Sequence, residues 1–391
     1  PAGGPQNDGA AARHVLASVL ADTFNTGDGA GVPDAEAFGR YAAEERFSAG
    51  GPVERHVADD DVLFGHKGTG VGRVENQFSA AQAAFEQALL QQPGDAVART
   101  GLGMTLRELG QFEASVDQLK KALECAPESP FTHIELGLSL RRINRDSEAL
   151  ASLERATELA PDNARAHFRL GQLQAKLGDR SRAAQSYRRS LALSPGSAEV
   201  QHLLNAVEGK RTAIAPAEYI EKEFDDFSAN FDQKLVGSLQ YRAPAVLASM
   251  IREARAEPFP SVLDLGCGTG LMGVELRSQA GYMVGVDLSS KMLEKARDKG
   301  AYDELIRGDI VEALSASGKL FDLVVATDVL IYLGDLVPFM QSVAEKTIPG
   351  AFVGISTELH SVPGDYALLG TGRYAHGKDY VCGVAASAGL C

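Results

Sequence analysis

Four prolines, Pro93, Pro127, Pro161 and Pro195, stand 34 residues apart. A fixed interval of that length is the mark of a stacked array in which each unit is a pair of helices. Other positions keep the same phase. Leu102-Gly103, Leu136-Gly137 and Leu170-Gly171 recur, and so do Gly110, Asn144 and Gly178, where a turn between two helices falls. In the second half of each unit, small or apolar residues return at Ser115, Ala149 and Ala183, at Leu119, Leu153 and Tyr187, and at Ala122, Ala156 and Ser190. One helix pair cannot bury its apolar stripe alone, so neighbouring units must stack and share a core.

Period, proline and small residues together resemble the tetratricopeptide repeat, with full repeats at 96–129, 130–163 and 164–197 inside a repeat domain of 62–212. Upstream, Gln77 to Leu90 matches the second helix of a further repeat, with Ala81, Phe85 and Ala88 in phase. Its first helix is spoiled by Gly65, Gly68, Gly70 and Gly72. Downstream, 198–207 resembles a capping helix. The resemblance implies a concave groove lined by first helices, where Arg99, Arg107, His133, Arg141, His167 and Gln174 point or flank. A protein or peptide partner in that groove is one expectation. Solvated charges on a scaffold or dimerisation face are the other.

The second constraining feature is Val262-Leu263-Asp264-Leu265-Gly266-Cys267-Gly268-Thr269-Gly270. A short apolar run stops in alternating glycines, and a helical pattern begins at Leu271, which reads as strand, tight turn and helix. Glycine suits such a turn because the backbone must bend sharply and approach a ligand closely. Gly268, Gly270 and Gly273 also satisfy G-x-G-x-x-G, and Asp287 lies 19 residues past Gly268, where a dinucleotide enzyme holds a ribose. Glycine spacing leaves both cofactor classes open.

Charge separates them. A dinucleotide brings a pyrophosphate to this turn, and an aspartate at the strand end, Asp264, repels it. A ligand carrying a sulfonium and an ammonium is favoured instead. Three further strand-like runs end in acids: Tyr282 to Val286 at Asp287, Leu305 to Arg307 just before Asp309, and Phe321 to Ala326 just before Asp328. Any one of them reads equally well as a turn former or helix cap. Four in succession behind a glycine turn point to the ligand-binding end of an open α/β sheet.

These residues resemble the cofactor site of a class I S-adenosylmethionine-dependent methyltransferase, at 261–391. The resemblance implies a Rossmann-like doubly wound α/β domain following the all-α solenoid. It implies that Gly266, Cys267, Gly268 and Gly270 form the cofactor turn, that Asp287 and Leu288 meet the ribose, that Asp309 and Ile310 meet the adenine, and that Asp264 and Asp328 complete the pocket. It also implies two last strands after a helix at Asp379 to Gly389. The sequence ends at Cys391, so these strands are expected to be missing and the fifth strand to be left as an edge.

Between array and domain, 213–260 carries Phe224-Asp225-Asp226-Phe227-Ser228, Phe231-Asp232 and Tyr241-Arg242-Ala243-Pro244. It resembles the segment that closes over the cofactor in methyltransferases with preceding repeats, and more loosely in enzymes related to trans-aconitate methyltransferase. Phe231 and Tyr241 then shield the donor. The spacing of Phe224, Phe227 and Phe231 equally fits a helix packing on the sheet. On the acceptor side stand Tyr332, Glu358, His360 and the Arg373-Tyr374-Ala375-His376 run with Tyr380. His376 is the expected base, since its ordinary pKa lies near neutrality, with Tyr332 and Tyr374 beside it.

Net charge is −14, which argues against general nucleic-acid binding. Residues 96–212 nonetheless hold 17 Lys and Arg against 14 Asp and Glu, a mildly basic array in an acidic chain. The four cysteines fall in no metal-ligand or disulfide spacing. That pattern, with no run of 18 apolar residues and no leader-like start, leads to the expectation of a cytoplasmic protein without metal or membrane span. In the N-terminal segment, 1–61, Ala11 to Phe24 and Ala35 to Phe47 have helical spacing, and Asp59-Asp60-Asp61 reads as a solvated turn. The expected function is methyl transfer from S-adenosylmethionine with the repeats recruiting a protein or peptide. One alternative is a small-molecule or carboxylate methyltransferase whose repeats mediate assembly. Another is a cofactor-binding scaffold without turnover.

Overall fold

The structure is a computed structural model and describes residues 14–20, 70–227, 241–360 and 364–390. The chain divides into two compact units, with the break after Val200.

The helical unit begins with α1 (Gly70–Gln91). Three helix pairs follow: α2 (Ala96–Glu108) with α3 (Phe112–Cys125), α4 (Pro130–Arg142) with α5 (Asp146–Leu159), and α6 (Ala164–Lys176) with α7 (Arg180–Leu193). Capping repeats with the same period. Asp95, Ser129 and Asn163 each accept backbone N–H groups of the following helix, satisfying donors that a helix start leaves bare. The turns repeat too, since Gly110, Asn144 and Gly178 all have positive φ, at 76°, 56° and 81°.

The Leu-Gly pairs have a packing cause. A Cβ on Gly103 would stand 2.5 Å from the Leu119 side chain, one on Gly137 2.7 Å from Leu153, and one on Gly171 2.7 Å from Tyr187. Each first helix thus gives up a side chain so that a buried Leu or Tyr of the second can lie against its backbone. Between successive first helices, Glu135 of α4 lies fully buried and bonds Arg107 of α2 and Arg165 of α6, each at 2.6 Å. Upstream, α1 covers the expected helix Gln77 to Leu90 and extends back through Gly72 to Gly70, and Gly65 and Gly68 lie outside the described residues.

The second unit is built on one sheet. α8 (Ala198–Glu208) spans the break and leads to α9 (Ala217–Phe227) and α10 (Ala243–Ala254). Strands β2 (Phe259–Leu265), β3 (Ala280–Asp287), β4 (Glu304–Arg307), β5 (Phe321–Ala326) and β6 (Thr347–Leu359) lie parallel in the order β4-β3-β2-β5-β6. Helices α11 (Leu271–Leu276), α12 (Ser290–Lys299), α13 (Ile310–Ala316) and α14 (Val337–Glu345) connect them. The chain leaves β2 in one direction and returns to β5 on its other side. The crevice beyond the carboxyl ends of β2 and β5 is therefore the switch point where such sheets bind ligands.

The far edge of β6 differs from expectation. β8 (Tyr374–His376) pairs parallel with Glu358 and Leu359, and β7 (Tyr366–Leu368) pairs antiparallel with β8. Both precede the last helix, α15 (Lys378–Ser387), and the described residues after that helix form no strand. The N-terminal β1 (His14–Leu20), expected to be helical, pairs parallel with Phe352–Glu358 of β6. A seven-residue run with five apolar positions fits either period, and an available row of N–H and C=O groups decides between them. The fifth strand of the domain is thus covered and not left as a bare edge. The second expected helix, Ala35 to Phe47, lies outside the described residues.

Leu153 is fully buried against Gly137. Leu153→Ala is expected to lower the stability of the helical unit by about 2 to 5 kcal/mol. Urea titration followed by far-ultraviolet circular dichroism measures this, and a transition that does not move would contradict the packing described.

Candidate active site

Gly266, Gly268 and Gly270 all have positive φ, at 67°, 53° and 88°, so the alternating glycines make a left-handed turn that other residues rarely adopt. A Cβ on Gly266 would also come within 2.3 Å of Val329. Around Gly268 a Cβ would meet nothing within 4 Å, so the turn opens a space above its backbone. The turn is tied down at both ends. The Cys267 amide donates to the Val286 carbonyl at 2.9 Å, and the Gly268 amide donates to the Asp287 carboxylate at 2.8 Å. The other Asp287 oxygen accepts from the Ser289 amide at 2.9 Å. Leu288, next to it, is half-buried, and its carbonyl accepts from Arg307.

Asp264 lies beneath the turn, 1 % exposed. Its carboxylate accepts a 2.5 Å bond from the Tyr302 hydroxyl, which in turn accepts from the Gly273 amide at 3.1 Å. Burial raises the Asp264 pKa to about 7, with nearby Asp287 adding to the rise and the Tyr302 bond opposing it. Tyr302 was not legible as a site residue. Its one signal is indirect: a Cβ on Gly273 would stand 2.4 Å from its ring and one on Gly285 2.9 Å, so two glycines outside the turn make room for it. Cys267 is buried and its thiol pKa is pushed well up by burial, so it is no nucleophile.

The remaining strand-end acids divide. Asp309 is the N-cap of α13, accepting from Val311 at 2.8 Å and Glu312 at 3.2 Å, as the cap reading had it. The Ile310 amide opens that helix, where no intrahelical acceptor exists. Asp328 has φ 57°, rare for a non-glycine residue. Ser356 of β6 holds it there, accepting from the Asp328 amide at 2.8 Å and donating to its carboxylate at 3.1 Å. Next to it, the buried Thr327 hydroxyl has no hydrogen-bond partner among the described residues. α9 lies across this end of the sheet, with Glu221 paired to Arg307 and the Phe224 ring edge-on to Tyr332 at 5.6 Å.

Tyr241 hydrogen-bonds Asp328, and burial together with that carboxylate pushes its phenol pKa well up. Tyr332 is half-buried nearby, its phenol also raised by burial. The guanidinium of Arg373 acts on both phenols and meets Glu358 at 3.5 Å. Phe231, the other expected shield, lies outside the described residues.

His376 is not at this site as a base. It is fully buried in β8, its Nε2 is 2.7 Å from the Leu333 carbonyl and its Nδ1 2.5 Å from the Thr357 hydroxyl. A carbonyl only accepts, so Nε2 carries the proton and Nδ1 accepts from Thr357. Burial lowers its pKa to about 4. Tyr374 is likewise fully buried, bonded to Thr212 at 2.6 Å and packed against Tyr366 and His202. Tyr380 donates to Asp335 and accepts from the Leu336 amide. These three residues pin the β7–β8 hairpin and α15 to the sheet. They hold the fold where catalysis was expected of His376 and Tyr374.

The glycine turn is open at Gly268, with Asp287 bonded to it, Asp264 buried close to Tyr302 and Asp328 just beyond the end of β5. That set fits a cation and disfavours a pyrophosphate. Among the described residues no group of histidine, cysteine or acid side chains is arranged to hold a metal, and no helix is long and apolar enough to cross a membrane.

Residues 262–350 match the methyltransferase domain family, and residues 74–130 and 134–198 match the tetratricopeptide repeat. A malonyl-[acyl-carrier protein] O-methyltransferase of Salmonella typhimurium is 32% identical over 31% of this chain and 46% of its own length. A ubiquinone biosynthesis O-methyltransferase of Chelativorans sp. is 31% identical over 30% of this chain and 49% of its own. The chain thus spans about half the length of these relatives. A solved S-adenosylmethionine-dependent methyltransferase from Clostridium acetobutylicum is 26% identical, covering 32% of this chain and 54% of that one at a TM-score of 0.28. The chain carries tetratricopeptide repeats followed by a methyltransferase domain of the kind that uses S-adenosylmethionine.

Proposed function

We propose that this protein transfers a methyl group from S-adenosylmethionine and that its repeats hold a protein or peptide that supplies or positions the acceptor. The observation that carries the first part is the open turn at Gly268 together with the carboxylates of Asp264, Asp287 and Asp328. S-adenosylmethionine supplies an electrophilic methyl on a sulfonium, and no covalent enzyme intermediate is needed. The chain's own contribution is alignment, and well-oriented reactants gain roughly 7 to 11 kcal/mol in this way.

Each residue has a task in this reading. Asp287 accepts from the ribose hydroxyls while its bond to Gly268 sets the turn. The Ile310 amide and Asp309 flank the adenine. Asp264 and Asp328 face the cationic end of the donor, and Tyr241, held on Asp328, excludes water there. Residues 96–212 carry 17 Lys and Arg against 14 Asp and Glu, and this mild excess favours an acidic peptide over a basic one. The cysteine pattern and these partners fit a cytoplasmic setting.

Asp287→Ala should weaken S-adenosylmethionine binding by about 1.5 to 3 kcal/mol, the value of hydrogen bonds to a charged group. Calorimetry on the full chain measures it, and unchanged affinity would refute the ribose role. A second outcome follows from Asp264, whose carboxyl titrates at about 7 without ligand. A bound cation favours the ionised form, so below that pH binding must expel a proton. Affinity is therefore expected to rise with pH by up to about tenfold per unit between roughly pH 5.5 and 7 and to level off above. Asp264→Asn should flatten the profile, and a profile unaltered by that substitution would contradict the assignment.

A further inference from the structure

The loop after β5 carries two groups of the crevice, Asp328 and Tyr332. Ser356 of β6 holds the first. The second is bracketed by a segment far away in sequence, the strap 211–215 that joins α8 to α9. Strap and loop run antiparallel, with Ile214 paired to Leu333. The Ala215 amide donates to the Tyr332 carbonyl at 2.9 Å, and the Ala213 carbonyl accepts from the Gly334 amide at 2.8 Å and the Asp335 amide at 2.9 Å. Backbone bonds therefore grip the loop at Tyr332 and again just beyond it.

This close approach depends on the missing side chain at Gly334. A Cβ there would stand 2.7 Å from the Thr212 carbonyl oxygen, 2.5 Å from the Tyr366 ring and 2.7 Å from the Tyr374 ring. Gly334 is not one of the left-handed glycines, so what it supplies is space. The strap has its own anchors on the β7–β8 hairpin. The Thr212 hydroxyl bonds that of Tyr374 at 2.6 Å, and Arg211 pairs with Asp365 at 2.8 Å while lying 4.0 Å over the Tyr366 ring. Ala215 is buried in the small core on which Tyr332 packs, whereas Ala213 and Ile214 are exposed. The middle of the strap thus gives the loop backbone bonds more than it gives the fold buried surface.

We propose that the strap is a positioning element of the acceptor end: its backbone sets where the Tyr332 hydroxyl stands beside Asp328. This rests on the methyl-transfer reading above. In that reaction alignment is the chain's main contribution, and a misplacement of about 1 Å can cost roughly a hundredfold in rate. The strap residues touch neither donor nor acceptor and act through Tyr332. Gly268 and Asp287, the donor groups, stand after β2 and at the end of β3, whereas the strap bonds the loop after β5 and the hairpin. Loosening the strap therefore slows transfer and leaves donor binding in place.

The test compares the full chain with Gly334→Ala, which sets a methyl group against the strap, and with Thr212→Val, which removes its bond to Tyr374. Transfer of labelled methyl from S-adenosylmethionine into cell lysate is measured at varied donor concentration, and deuterium exchange of the Asp335 amide by nuclear magnetic resonance. Maximal labelling is expected to fall by about tenfold or more in Gly334→Ala and by about threefold in Thr212→Val. The donor concentration for half-maximal labelling should stay within about twofold of wild type, while the Asp335 amide exchanges about tenfold faster. Wild-type labelling by the variants would overturn the proposal and leave methyl transfer standing, as would a loss of donor affinity equal to the loss of rate. Slower labelling with unchanged exchange at Asp335 would overturn it too, since the loop would then not depend on the strap. No labelling by the wild-type chain would overturn methyl transfer and the positioning role together. If Gly334→Ala does not fold, Thr212→Val decides by the same two measurements.

Discussion

The bond from the Gly268 amide to the Asp287 carboxylate holds the site together. It joins the turn after β2 to the end of β3, so these two neighbouring strands present one surface beside the switch point. Three left-handed glycines make the bend possible, and the carboxylate selects it from among the many bends three glycines allow. Beneath it, Asp264 and Tyr302 form a second tie, with Tyr302 reaching back to the Gly273 amide at the start of α11. Strand, turn and helix are thus connected through two acids. The cost is a carboxyl buried near another carboxylate, which lifts its pKa toward neutrality. A cation bound above the turn would relieve that cost.

The helical unit solves a different problem by repetition. Each first helix omits a Cβ where Leu119, Leu153 or Tyr187 arrives, and each begins with a side chain that accepts its bare N–H groups. Buried Glu135 binds one arginine from the repeat before and one from the repeat after. A buried ion group of this kind adds little net stability but is costly to break, so it fixes the register of the stack.

Where a feature rests on local chemistry, the sequence was enough to read it. The 34-residue period, the glycine turn and the strand-end acids are of this kind, because each is stated by neighbouring residues. Where tertiary context decides, it was not. β1 and a helix are equally compatible with His14–Leu20, and the row of backbone groups along β6 settles the matter. His376 sits in a three-residue strand too short to carry a period, so nothing nearby announced that its ring would be sealed between Thr357 and Leu333. Tyr302 fills a hole left by two glycines distant in sequence. Asp309 fulfils the capping role that its position permits.

The central claim is that a glycine turn accompanied by three acids takes a cationic donor and refuses a dinucleotide. Calorimetric titration of the full chain with S-adenosylmethionine and, separately, with NADH tests it most directly. The account predicts saturable binding of S-adenosylmethionine and no measurable heat of binding from NADH. Saturable NADH binding, with none for S-adenosylmethionine, would contradict it.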